Sequence, residues 1–77
     1  MMEIIEATLN KNGIPVCRAL VQHKMQYYVI SESDNHGLET LIFRADSSGK
    51  ITDYIEVGGS RGVTLEYVLE NFESELF

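Results

Sequence analysis

The stretch from Thr64 to Phe77 constrains the fold of this chain more than any other. Leu65, Val68, Leu69, Phe72 and Leu76 recur at i, i+3, i+4, i+7 and i+11, which lays one apolar stripe along a helix over about residues 65–76. Glu66, Glu70 and Glu73 fall on the opposite side. Thr64 can accept a hydrogen bond from a first-turn backbone N–H and so cap the helix. Val63 before it has the spacing to fold over Val68 as a hydrophobic staple. Everything upstream reads as strands, so the stripe has only a sheet to bury against.

Glu3 to Leu9 alternates, with Ile5, Ala7 and Leu9 on one side and Glu6 and Thr8 on the other, a strand signal. Asn12-Gly13 follows and suits a two-residue type I′ hairpin turn, because both residues tolerate positive φ. That turn pairs Leu9 with Val16 and Ile5 with Leu20. Pro15, lacking an N–H, hints that this end of the second strand lies at an edge. Gln22-His23-Lys24 reads as a polar turn. Gln26 to Ser31 is aromatic and β-branched, a third strand. Ser33 to Gly37 is a loop by composition. Glu39 to Ala45 reads as a fourth strand, with Leu41 and Phe43 on one side and Thr40, Ile42 and Arg44 on the other. Ser47 to Lys50 turns into a fifth strand, Ile51 to Val57, which Gly58 to Gly62 breaks ahead of the helix.

All connections are too short for a parallel crossover. The expected fold is therefore α+β: an antiparallel meander of about five strands, over about residues 3–57, with one C-terminal helix packed on one face. The 77 residues make a single small domain. The uncovered face carries Glu6, Thr8, Thr52, Tyr54 and Glu56 and is expected to be partly wet. Ile4, Tyr28 and Ile30 are expected to mark a second apolar patch, and hence a homodimer or partner surface.

Formal net charge is −6. Nucleic acid and anionic membranes repel such a chain at long range, whereas a protein with a basic surface attracts it. Cys17 is the only cysteine, which fits a reducing compartment. No apolar run is long enough to span a bilayer, and Met1 to Glu6 lacks the pattern of a signal peptide. A cytoplasmic location is the expectation.

Three groups of residues bear on chemistry. Gly58 to Gly62, ahead of a helix start, would let backbone N–H groups approach an anion, with Gly59, Arg61 and Gly62 as its binding residues; the plainer reading is a strand-to-helix connection. No P-loop Lys-Ser or Lys-Thr follows. Asp46 to Gly49, with Asp53 beyond, lacks the ligands and flanking helices of an EF-hand and reads as a hairpin turn. Cys17, His23 and His36 make no close-spaced metal motif, and read as a structural cysteine and two turn histidines. No catalytic pair and no cofactor or metal pattern stands out. That leaves the carboxylates Glu66, Glu70 and Glu73. They are like charges three and four residues apart, with no lysine or arginine after Arg61. They read either as a solvated helix face or as a docking surface for a basic groove.

The segment Glu39-Thr40-Leu41-Ile42-Phe43, a Gly-Lys turn, then Thr52-Asp53-Tyr54-Ile55-Glu56 and a Thr-started helix resembles a pattern in small uncharacterised phage and prophage proteins. There the first strand usually reads Glu-Thr-Met-Val-Phe and the next carries Asp-Trp, where this chain has Asp53-Tyr54. The resemblance covers roughly the second half of the chain; it implies phage origin and a sheet-plus-helix fold, and no particular activity. Tyr28-Val29-Ile30-Ser31-Glu32-Ser33-Asp34-Asn35 is similar to a strand and its exit in an acidic anti-CRISPR protein that inhibits a CRISPR nuclease. The expectation that follows is a non-enzymatic phage-type protein acting by protein–protein binding, as an inhibitor or modulator of a host or defence protein, through Glu66, Glu70 and Glu73. The alternatives are an oligomer-forming module using a strand edge, and a small anion-binding protein.

Overall fold

The computed structural model describes residues 1–77. Five strands, β1 (Glu3–Leu9), β2 (Pro15–His23), β3 (Gln26–Ser33), β4 (Glu39–Ala45) and β5 (Ile51–Arg61), form one open sheet. They lie in chain order, each antiparallel to its neighbours. Two short helices follow, α1 (Leu65–Glu70) and α2 (Phe72–Glu75). The fold is the α+β meander that the short connections dictate.

The turns differ from expectation in an instructive way. The type I′ geometry belongs to Lys24 and Met25, whose φ values are 49° and 66°, with His23 directly opposite Gln26. At the β1–β2 turn only Gly13 is left-handed. There Asn10 takes over: its Oδ1 accepts from the backbone N–H groups of Asn12 (2.9 Å) and Ile14 (3.1 Å), and its own N–H donates to Ile14 O at 3.0 Å. An asparagine side chain that satisfies the loop's donors favours this wider turn. The register shifts accordingly, to Leu9 opposite Pro15 and Glu6 opposite Leu20, with irregularities at Ile5 and around Cys17. Ile4 and Ala7, rather than Ile5, Ala7 and Leu9, therefore pair with the core residues Val21 and Ala19. Asp46 repeats Asn10's device between β4 and β5, its Oδ1 accepting from Ser48 N, Ser48 Oγ and Lys50 N.

The helix stripe buries as the period requires. Leu65, Val68, Leu69 and Phe72 pack with Ala19, Val21, Ile30 and Ile42 of the sheet. The Thr64 hydroxyl accepts from Tyr67 N at 3.1 Å, and Val63 packs against the same cluster. The single helix expected over residues 65–76 is broken at Asn71 (φ −123°, ψ 32°), whose side-chain amide donates to Tyr67 O at 2.9 Å. An asparagine that bonds the backbone in this way competes with regular helix. Leu76 is extended and bridges to Gly58, and Phe77 N donates to Val57 O at 2.9 Å.

β5 runs on through Gly58 and Gly59 to Arg61, where the glycines had suggested a break. A Cβ on Gly58 would lie 2.4 Å from the carbonyl oxygen of Glu75, and one on Gly59 would lie 2.1 Å from that of Thr40. Glycine is needed there for close approach of backbone. Tyr28 and Ile30 also lie under the helices: Ile30 is buried and the Tyr28 ring meets Phe72 edge-on at 5.3 Å. Of the expected second patch only Ile4 is exposed. The opposite face has a small core of its own, Leu20, Val29 and Ala45 with Tyr27 and Ile51. It closes because the β4–β5 turn folds over it, the Arg18 guanidinium donating to Gly49 O. Glu6, Thr8, Thr52, Tyr54 and Glu56 are exposed, as the pattern implied.

Candidate functional site

α1 packs over β2 and β3 and leaves an uncovered strip beside the edge strand β1. Three open clefts join along that strip. The first, at the helix start, is lined by Ile14, Pro15 and Val16 with Glu32 and Glu66. It shares Pro15 and Glu66 with a second, which adds Ile4, Leu69 and Glu70. The second shares Leu69 and Glu70 with a third, which runs on to Glu73 and to Met1 and Met2. The result is one shallow trough with an apolar floor and a rim of carboxylates. Glu66, Glu70 and Glu73 all lie on it, so the structure brings the three helix glutamates together along one concave strip.

No lysine or arginine lines this trough. Arg18 is turned to Gly49 O. Arg44 pairs with Asp53 at 3.5 Å and Arg61 with Glu39 at 3.3 Å. Lys11, Lys24 and Lys50 sit in or beside the hairpin turns. No lysine or arginine side chain therefore faces the rim carboxylates. Within the rim, Glu66 is half-buried and Glu70 exposed. Glu73 Oε1 lies 3.6 Å from His23 Nε2.

The proposed anion residues are arranged differently. Gly59 is within β5 and carries φ 112°, and Gly62 carries φ 77° after the strand end. Gly62 N donates to Leu38 O at 2.7 Å. Arg61 is engaged by Glu39. The position an anion would take at the helix start is held by the protein's own carboxylate: Glu32 Oε2 accepts from Leu65 N at 2.7 Å. A charged acceptor on a free helix N–H is a strong bond, and it anchors α1 to β3.

His23 is the last residue of β2 rather than part of the turn. It is 4% exposed, stacks edge-on against Phe72 at 5.4 Å, and its Nδ1 has no partner. Cys17 is exposed, at φ 68°, so it packs no core. His36 is exposed in the β3–β4 connection. No three His, Cys, Asp or Glu side chains converge to hold a metal ion, and no helix is long and apolar enough to cross a membrane. Asp46 is exposed; the Ser48 hydroxyl, followed by Lys50 N, holds its carboxyl below the ordinary aspartate range.

Sequence reasoning located the rim but not the floor. Ile4, Pro15 and Leu69 come from β1, β2 and α1 and meet only in the folded chain, and Glu32 looked like one more strand residue. Pro15 was the one local signal of an edge. No family model, curated protein or solved structure matches this chain.

Proposed function

We propose that this chain is a small non-enzymatic binding protein of phage type, acting in a host cytoplasm on a protein with a basic surface, as an inhibitor or modulator of a host or defence protein such as a CRISPR component. The observation that carries the reading is the trough: apolar residues on its floor, carboxylates on its rim, and no lysine or arginine in its lining. Apolar area supplies affinity, while a rim rich in carboxylates steers a basic partner and disfavours nucleic acid. The resemblance of the second half of the chain to phage proteins supports the origin.

A tagged pull-down from bacterial lysate, eluted at moderate salt, should yield one stoichiometric, salt-sensitive protein. Glu66→Lys, Glu70→Lys and Glu73→Lys together should abolish its capture. Replacing the same three by Gln should weaken it about tenfold, since exposed ion pairs contribute ~0.5 kcal/mol each. Recovery of the bait alone across several hosts, or unchanged capture by the folded variants, overturns the reading. Self-assembly through a sheet edge is the second reading, favoured by the exposure of Ile4, Ile5 and Leu9 on β1. It requires a stable dimer in sizing.

A further inference from the structure

β1 is an edge strand of an unusual kind. Its inner side pairs with β2, and no backbone hydrogen bond from outside the sheet ladder reaches Glu3 to Leu9. Six of its seven residues are exposed, so nothing in the chain covers it. The other edge differs, because Leu76 and Phe77 bond to Gly58 and Val57 and close part of β5. Edge strands are commonly protected by charge, proline or a bulge; β1 has no lysine or proline and is irregular only at Ile5 and near its end. It carries Glu3 and Glu6 instead, and it borders the trough through Ile4.

We propose that the open edge of β1 receives an extended cationic segment of a partner protein as a sixth strand. This rests on the binding reading above and assigns the partner's chemistry. In strand addition the main chain supplies affinity and alternate side chains supply specificity. One set of alternate side chains projects over Ile4, Pro15 and Leu69 toward Glu66 and Glu70. The other set lies beside Glu6 on the opposite face, where Glu6 pairs with Leu20. The first set meets the apolar Ile4, Pro15 and Leu69 and the second meets Glu3 and Glu6, so apolar residues alternating with lysine or arginine fit the edge. Charge also selects against a second copy of this chain. A β1–β1 pair brings two glutamates from each copy onto one edge, and like charges facing each other across strands are destabilising.

The test uses the whole protein, isotope-labelled, and an acetylated and amidated peptide of alternating Lys and Val that matches the 7 residues of β1. Binding should shift the amides of Glu3 to Leu9 together with those of Glu66 and Glu70. It should slow hydrogen exchange roughly tenfold at alternate β1 amides. A Glu–Val peptide should not bind. Two further peptides, N-methylated at alternate residues in either register, keep the charge but lose one row of donors; one of the two should fail to bind. Equal binding by both N-methylated peptides, or shifts confined to the helix glutamates, overturns strand addition and leaves the acidic docking surface standing. No binding at all also overturns it, while the pull-down decides the broader reading independently. A β1 already protected from exchange in a dimer, before peptide is added, assigns the edge to a second copy and overturns the proposal.

Discussion

Lys24 and Met25 hold left-handed backbone with side chains that disfavour it, because the β2–β3 connection has room for only two residues. A two-residue hairpin loop matches the twist of its strands only in the primed turns, and those prefer Asn-Gly. Each non-glycine residue in that region costs about 1–2 kcal/mol, part of which glycine returns as lost chain freedom. Lys24→Asn with Met25→Gly should therefore raise stability by about 0.5–1 kcal/mol, read as a higher urea midpoint with an unchanged slope. An unchanged or lower midpoint would mean that the turn is not strained. Gly58 is the opposite case. Its missing Cβ is the space in which Glu75 and Leu76 lie. Gly58→Ala should cost about 2–3 kcal/mol by overpacking and release the amide of Phe77 to exchange. Asp46 supplies a pH dependence. Its carboxyl is held below the ordinary aspartate range by Ser48 and Lys50 N, so its contribution is complete above that range and fades as acid protonates it. The wild type should exceed Asp46→Asn in urea midpoint at neutral pH, and the gap should close in acid.

At the scale of elements, the helix start shows two caps of different origin. Thr64 serves Tyr67 N locally, and Glu32 reaches from β3 to Leu65 N. Thr64→Ala should cost about 1 kcal/mol, and Glu32→Ala about 1.5–3, because its bond is charge-assisted and half-buried. Thermal melts of both variants check the ranking; a smaller loss for Glu32→Ala would show that the long-range cap is dispensable. Thr64 was legible in the sequence because its partner is three residues away. Glu32 was not, because its partner is set by how β3 lies beneath the helix. The same division runs through the rest. Alternation, β-rich composition and turn residues identified five strands, and period 3.6 the buried stripe, since each depends on neighbours along the chain. The β1–β2 register was misjudged because Asn10 outcompeted Asn12-Gly13 for the turn, by bonding two backbone donors at once. The continuation of β5 through Gly58 and Gly59 was hidden because glycine signals both a break and a close approach. In the trough, the rim was legible from helical spacing. The floor brings β1, β2 and α1 together, and no single stretch of sequence encodes that meeting.

At the scale of the whole molecule, one sheet supports a core on each face. Ala19, Val21 and Ile30 point to the helices, while Leu20 and Val29 point to the β4–β5 turn. The two cores therefore alternate along the same two strands and share a backbone. Neither face can be lost without unpairing strands that hold the other, so the domain should unfold as one unit although its apolar residues form two clusters. Leu20→Ala and Leu65→Ala each remove a buried side chain and should cost about 2–4 kcal/mol. In a urea titration followed by methyl signals, Val29 reports on the turn-covered core and Val68 on the helix-covered one. Their transitions should coincide in the wild type and move together in both variants. A Val29 transition that precedes Val68 in Leu20→Ala would show that the turn-covered core is a separate, weaker layer. The trough would then survive its loss, because its walls come from β1, β2, the helices and Glu32 of β3, none of which belongs to the turn that covers the second core.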